Sequence, residues 1–490
     1  MTRTVDQVEK HLAEGGQILK TRDDSVPVFF VPSESGEEGR KTFALAEDTD
    51  CSWVKAKEYF GAEKIRPRIE PWLTALAQSE HLSLLVGSGL THSVHHVARG
   101  DRMPGMDKVE FSICNEKIES ETKRLSDATG RYKGNIEDQL RVANELLRGL
   151  EIMESAPSPK AGEQKTDEGK GEDKKSEKLK KEIVKALGNF ANQLLKGEQN
   201  LLLAEPQKRE QAFNYLISFL MSFASRSGTR ERLHIFTTNY DRYIEAGADI
   251  AGLRLIDRFV GTLTPIFRAS RLDVDLHYNP PGIRGEPRYL EGVARFTKLH
   301  GSVDWVDCNG TIRRIGMPFG ACDINPFLSA LGLKDADAMK LMIYPNAAKD
   351  RETVLFPYVE MFRDFAAAIC RPNNTLVCYG YSFGDEHINR VIEDMLTIPS
   401  AHLVVIAYGD PLGRIMRTYE RLGRSAQISL LMGNHLGDLQ ELVRHYLPKP
   451  AIDRTTFRMA ELLKARWSTG QSEDGETESK SSKDEGGTKP

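Results

Sequence analysis

The sequence predicts an α/β fold, a doubly wound and mainly parallel sheet interrupted by a helical lobe, and three observations predict it. From Leu233 onward apolar runs and amphipathic runs alternate: LHIFTT, RFTKLHG, LMIYP, a helix around VEMFRDFAAAI, TLVCYGY, the helix HINRVIEDML, LVVIAYG, the helix RIMRTYERL and ISLLMG. Strands that alternate with helices return through crossovers, which makes neighbouring strands parallel and covers both faces of the sheet. The second observation is LSLLVGSGLTHSV from Leu82, a short buried strand running into a glycine loop, the usual opening of a nucleotide-binding core. The third is the long helical stretch between Lys108 and Phe223, which holds IEDQLRVANELLRGLEIM from Ile136 and KEIVKALGNFANQLLKG from Lys181.

Taken in order, residues 1–75 form an N-terminal extension of unclear role, with a helix up to Glu14 and an apolar strand, VPVFFV, from Val26 to Val31. The core is expected over 76–450, with the helical insertion at 105–228. Inside the insertion, 155–180 alternates Lys with Glu and Asp, has no aromatic residue and buries almost nothing, so a disordered spacer between two antiparallel helices is expected. A C-terminal helix over 451–468 and a polar, disordered tail over 469–490 complete the chain.

Composition narrows the function classes. With 490 residues, 40% hydrophobic and 28% charged, packed domains need no disulfides. The 67 basic and 71 acidic residues give a net charge of −4, no field for a polyanion, so direct nucleic-acid binding is not expected. Cys51, Cys114, Cys308, Cys322, Cys370 and Cys378 form no CxxC pair and read as reduced, mostly buried thiols. The N-terminus lacks the apolar core of a secretory signal, and no run approaches the roughly 20 apolar residues of a membrane span. A cytoplasmic protein is expected.

Four strand-end loops carry the candidate chemistry. Gly87, Ser88 and Gly89 follow LSLLV, where amide groups can face a pyrophosphate; a glycine turn that only reverses the chain is the competing reading. In IFTTNYD, Thr237, Thr238, Asn239 and Asp241 stand at the carboxyl end of a strand, where ligands bind in open α/β sheets, although Asp241 could instead cap the next helix. In FTKLHGSVDW, His300 precedes a glycine at a strand end, placed either as a proton acceptor or as a satisfied structural histidine. In GYSFGDEHINR, Ser382, Gly384 and Asp385 open a helix and could hold a ribose or phosphate, or only cap it. The cluster His92, His95 and His96 has no Cys or acidic partner at ligand spacing, so packing or a mobile loop over the nucleotide is expected and no metal. Trp305 and Phe383 flank the loops and are expected in the core.

GSGLT, TTNYD, KLHGS and GYSFGD, in that order, resemble the motifs of the sirtuin-like NADase family, and Met342 to Ser400 resembles the sirtuin-like subunit of bacterial HerA-associated antiviral defence systems. The resemblance covers Leu82 to about Gly433. It implies a Rossmann-like core, NAD as substrate and an Asn/His pair at the chemical centre. Asn239 then positions ribose and water, Asp241 is the acid near the carboxamide, and His300 is the base. Gly87, Ser88 and Gly89 fall on the phosphate loop, Thr238 beside the nucleotide, and Ser382 with Asp385 near the adenosine half. Protein-deacylating sirtuins carry a zinc module of two CxxC pairs, which this chain lacks. The expected function is therefore an NAD glycohydrolase that releases nicotinamide and ADP-ribose in antiphage defence. It would be gated by homo-oligomerisation and a HerA-like hexameric ATPase. The alternatives are a catalytically silent NAD or ADP-ribose sensor and a protein deacylase.

Overall fold

The computed structural model describes residues 5–33, 41–47, 49–55, 57–104, 107–128, 134–155, 174–226, 230–270, 275–278, 288–308, 310–330, 341–343 and 356–449. The chain opens with α1 (Val5–Ala13), β1 (Gln17–Lys20), β2 (Val28–Ser33), β3 (Thr42–Leu45), β4 (Tyr59–Phe60) and α2 (Ala62–Ala77). The first core strand is β5 (His81–Val86), followed by α3 (Ser88–Arg99). Four helices make the lobe: α4 (Asn115–Ala128), α5 (Ile136–Ser155), α6 (Lys175–Leu202) and α7 (Pro206–Ala224). Then come β6 (His234–Thr237), α8 (Tyr243–Ala251), β7 (Arg254–Ile256), β8 (Phe259–Val260), β9 (Ile266–Phe267), β10 (His277–Tyr278), β11 (Arg288–Tyr289), β12 (Val293–Lys298), β13 (Gly301–Cys308), β14 (Thr311–Arg314), α9 (Asn325–Ala330) and β15 (Leu341–Ile343). Further along the chain lie α10 (Tyr358–Ile369), β16 (Asn374–Tyr379), α11 (Glu386–Leu396), β17 (His402–Ala407), α12 (Arg414–Leu422) and β18 (Ile428–Met432).

Eleven strands form one sheet in the order β4-β3-β2-β1-β18-β17-β16-β5-β6-β12-β7. From β18 to β7 every pairing is parallel. Alternate side chains explain the double winding: Leu84, Val86, Val377, Val404 and Ile406 join one apolar cluster, while Leu85, Leu376, Cys378, Leu403 and Val405 join another on the opposite face. Strand order reverses at β5, which has β6 on one side and β16 on the other, and that reversal opens a crevice at the carboxyl ends of these strands. The expected Rossmann-like α/β architecture is thus present, with Trp305 and Phe383 in the apolar core.

The chain departs from expectation in four places. Residues 1–75 are no appendage: β1 pairs antiparallel with β18, Ile18 opposite Met432, and β2, β3 and β4 extend the sheet from it. Gln17 fastens this wing, accepting from the amides of His435 and Leu436 at 3.1 Å each and donating to the Gly15 carbonyl at 2.8 Å. LMIYP does not join the parallel sheet; Leu341–Ile343 pairs antiparallel with β13 in a separate five-stranded sheet, because β13 turns away from the core at Gly301 and needs its own partners. Helix α6 begins at Lys175, so Lys175 to Lys180, expected in the spacer, are helical; 156–173 lie outside the described residues, as do the C-terminal helix expected at 451–468 and the tail. Of the six thiols only Cys378 is buried, and Cys322 is exposed. Among the described residues no helix is long and apolar enough to cross a membrane.

Two buried histidines that pack against rings of the wing give the fold a pH dependence. His402 Nε2 bonds Ser429 Oγ at 2.9 Å beneath the Trp72 ring, and His435 Nε2 bonds the Tyr446 hydroxyl at 2.6 Å beside Phe43. Burial, aided by Lys20 and Arg22, pulls His402 down to about 4, and burial pulls His435 down as well. A depressed folded-state value means that the unfolded chain takes up protons first, so stability present above about pH 6.5 is lost as pH falls toward 4. Between pH 7 and 5 the urea midpoint should fall, as the unfolding free energy drops with a slope approaching roughly 1.4 kcal/mol per pH unit for each histidine. A flat midpoint over that range would contradict the assignment.

Candidate active site

The crevice at the reversal point is built by the four predicted loops. Gly87 caps α3, and its amide donates to the Tyr379 carbonyl at 3.0 Å, while the Gly89 amide donates to the Gly380 carbonyl at 3.1 Å. A Cβ at Gly89 would stand 2.5 Å from Gly380 Cα, and one at Gly87 2.7 Å from Tyr381 Cα. These glycines therefore serve first to let two loop backbones touch, a reason that reading toward phosphate alone does not supply. Gly87 and Ser88 also face the crevice; Gly89 is set behind its wall.

At the end of β6, Thr237 Oγ1 donates to the Val86 carbonyl at 2.9 Å and accepts from the Asn239 amide at 3.1 Å, which fixes the turn. The Asn239 side chain spends both amide hydrogens inside the protein, on the Gly87 carbonyl at 3.0 Å and on Thr91 Oγ1 at 2.9 Å. Because a backbone carbonyl can only accept, the nitrogen must lie on that side, and Oδ1 is what Asn239 offers elsewhere. Thr91 passes its own proton to Asp241 Oδ2 at 2.8 Å, and Asp241 Oδ1 accepts from the Tyr243 amide at 3.2 Å. Asp241 thus turns one oxygen to the helix start, as the capping reading expects, and the other to the Asn239 network.

His300 sits in the turn from β12 to β13, where Gly301 takes φ +87°. The ring is 7% exposed and stands 6.3 Å from the Tyr240 ring and 5.7 Å from the His387 ring, centroid to centroid. In the loop after β16, Gly380 and Phe383 adopt φ of +61° and +53°, braced by Asn389, which donates to the Phe383 carbonyl at 3.0 Å and accepts from the Tyr381 hydroxyl at 3.0 Å. A left-handed phenylalanine carries strain of order 1–3 kcal/mol, and its burial in the core holds it there. Asp385 occupies the N-cap of α11 without capping it; its Oδ2 lies 4.0 Å from His300 Nε2. The structure therefore sets Asp385 beside the imidazole, a neighbour that the reading toward the adenosine half did not foresee.

Ser88, Thr238, Asn239, Asp241, His300, Ser382 and Asp385 all line one cavity of about 560 Å³. Sequence reasoning missed Thr91, Asn135, Glu137, Tyr240 and Arg414 on the same wall. Thr91 and Tyr240 lie inside GSGLT and TTNYD, so the motifs themselves held that signal. Asn135 and Glu137 come from the start of α5, where the Tyr240 hydroxyl donates to Glu137 Oε1 at 3.2 Å and ties the helical lobe to the motif loop. Among the described residues Arg414 is the one Lys or Arg that lines the cavity, against the carboxylates of Glu137, Asp138, Asp241 and Asp385. The His92, His95 and His96 cluster lies on α3 rather than on a loop: His95 is a core residue bonded to the Tyr243 hydroxyl at 3.0 Å, His96 is exposed, and His92 lines the cavity. Among the described residues the group with metal-ligand spacing is instead His300, Asp385 and His387.

Residues 233–429 match the SIR2-like domain family. The match spans β6 to the start of β18 and includes Asn239, His300 and Asp385, while Gly87 and the helical lobe lie before it. The match covers less than half of the chain, which over those residues is similar to a family that uses NAD; the matched domain fits an NAD-related function. No curated protein matches the chain.

Proposed function

We propose that the chain hydrolyses NAD to nicotinamide and ADP-ribose at this cavity, with Asn239 and His300 as the reacting pair. The observation that carries the reading is that four loops far apart in sequence converge on one cavity at the strand-order reversal, with a buried amide and a buried imidazole on its wall. In the reaction the C1′–N bond breaks with its electron pair on nicotinamide, whose charged ring becomes neutral, so no general acid is needed. The cationic ribose takes up the oxygen of water, and the water proton passes to His300. Asn239 Oδ1 accepts from the water or a ribose hydroxyl and so holds it in line. The carboxylates of the wall favour the positive charge that builds on the sugar.

Arg414 is assigned to the NAD pyrophosphate. Arg414→Ala should raise KM for NAD by roughly 10- to 100-fold, the worth of a hydrogen bond to a charged group, with a smaller change in kcat. An unchanged KM would remove Arg414 from the site.

The resemblance of Met342 to Ser400 supports a role as effector of a bacterial antiphage system that acts by NAD depletion. Because unrestrained NAD loss would kill the host, we place the activity under control of homo-oligomerisation and a HerA-like hexameric ATPase. Incubating the purified chain with NAD, alone and with such an ATPase, and resolving products by chromatography tests both points. Equal nicotinamide and ADP-ribose are expected; intact NAD in every mixture, or nicotinamide only when an acyl-lysine peptide is added, would overturn the reading.

A further inference from the structure

The geometry points to a divalent transition-metal site formed by His300, Asp385 and His387, whose occupation shuts off the proposed NAD cleavage. Each residue offers one ligand atom, and the three atoms lie within 4.8 Å of one another, with His300 Nε2 and Asp385 Oδ2 4.0 Å apart. That separation exceeds the 3.2 Å limit of an ordinary hydrogen bond. It is close to the edge of a zinc tetrahedron, about 3.4 Å for bonds of about 2.0–2.1 Å, so small side-chain rotations would close the set.

The placement of Asp385 is a second, independent sign. An aspartate at an N-cap ordinarily accepts from the first helix amides, a contact worth about 1 kcal/mol, yet this side chain makes no cap bond to α11. Its carboxylate is instead near the imidazole. The two rings are held in place by aromatic neighbours, Phe362 at 4.7 Å from His387 and Tyr240 at 6.3 Å from His300. His300 and Asp385 border the 560 Å³ cavity, so water can supply a fourth ligand. Two imidazoles and one carboxylate suit zinc and its neighbours in the first transition row rather than magnesium or calcium.

Such an ion would act against NAD cleavage for two reasons. It occupies the Nε2 lone pair that accepts the proton of water, and it puts a double positive charge near a sugar that becomes cationic in the transition state. The inhibitory half of the proposal rests on the NAD-cleavage reading; the binding half does not.

Titrating the full chain with Co²⁺, then with Zn²⁺, separates them. One Co²⁺ per chain should bind with the visible absorption of a four-coordinate ion and be displaced by one equivalent of Zn²⁺. His387→Ala and Asp385→Asn, two independent ways to remove a ligand, should each weaken binding by more than the roughly 10- to 100-fold that loss of an outer-shell partner costs. Filling the site with Zn²⁺ should lower nicotinamide release by roughly a hundredfold or more, the worth of a positioned base, whereas His387→Ala should lose this zinc sensitivity. Absence of a one-per-chain site, or binding unchanged in both variants, would overturn the site, and turnover indifferent to a filled site would overturn the inhibition. If no preparation cleaves NAD, the enzymatic reading fails while the cobalt spectra still decide the site.

Discussion

His300→Ala should lower kcat for NAD cleavage by roughly 10²- to 10⁴-fold, the usual contribution of a positioned proton acceptor, with little change in KM. The imidazole lines the cavity from the turn after β12, and the Asp385 carboxylate lies 4.0 Å from its Nε2. Removing it leaves the cavity, the Asn239 network and the Arg414 contact in place, so substrate binding should persist. Asn239→Ala should be of similar severity, roughly 10²- to 10³-fold, because its oxygen orients a reacting group. Steady-state nicotinamide release measures both, and a rate within about threefold of the parent in either variant would remove that residue from the mechanism.

The second large effect lies behind the site. Arg242 follows Asp241 directly, and its guanidinium bonds Glu198 on α6 at 2.6 and 3.2 Å and the Met317 carbonyl at 2.6 Å, while Glu198 also accepts from the Arg242 amide at 2.9 Å. Both side chains are buried, 7% and 0% exposed. Burial pushes the Glu198 carboxyl up against the opposing pull of Arg242, whereas the Arg242 guanidinium, pulled down by burial, is held above its usual value by Glu198. Glu198→Ala would leave a buried, uncompensated guanidinium and should destabilise the protein by about 3–5 kcal/mol, a large share of the 5–15 kcal/mol typical of a folded domain. Glu198→Met with Arg242→Met removes both charges and should recover much of that loss. Denaturant midpoints check the pair: a small effect of Glu198→Ala, or a double variant worse than either single, would contradict the account. Activity should fall along with stability, because this pair anchors the loop that carries Asn239.

The alternation of apolar strands and amphipathic helices after Leu233 was legible because a strand covered on both faces reads as a continuous apolar run, whatever its neighbours. The ends of those runs were legible too, since a polar residue after LHIFT or FTKL can only stand at the sheet's carboxyl edge. What local pattern could not carry was partnership. QILK looks like any short strand, and only its register against β18 makes residues 1–75 part of the sheet. LMI has the same apolar character as a core strand, yet it pairs with β13 once the chain has left the sheet at Gly301. Ser382 and Asp385 read as a helix start, and nothing in GYSFGD says that His300, 85 residues earlier in the numbering, stands beside that start. Arg414, Thr91 and Glu137 reach the cavity from three different helices. The glycines were found for a reason that proved incomplete: Gly89 and Gly380 are small because their backbones touch.

The claim beneath all of this is that one amide and one imidazole act on the same sugar carbon in the same transition state. A double-mutant cycle on kcat, comparing Asn239→Ala, His300→Ala and the double variant, tests it most directly. Groups that work as a unit give a double variant no more than about tenfold slower than the worse single. A double variant whose loss equals the product of the two single losses would show the residues acting independently and would contradict the account.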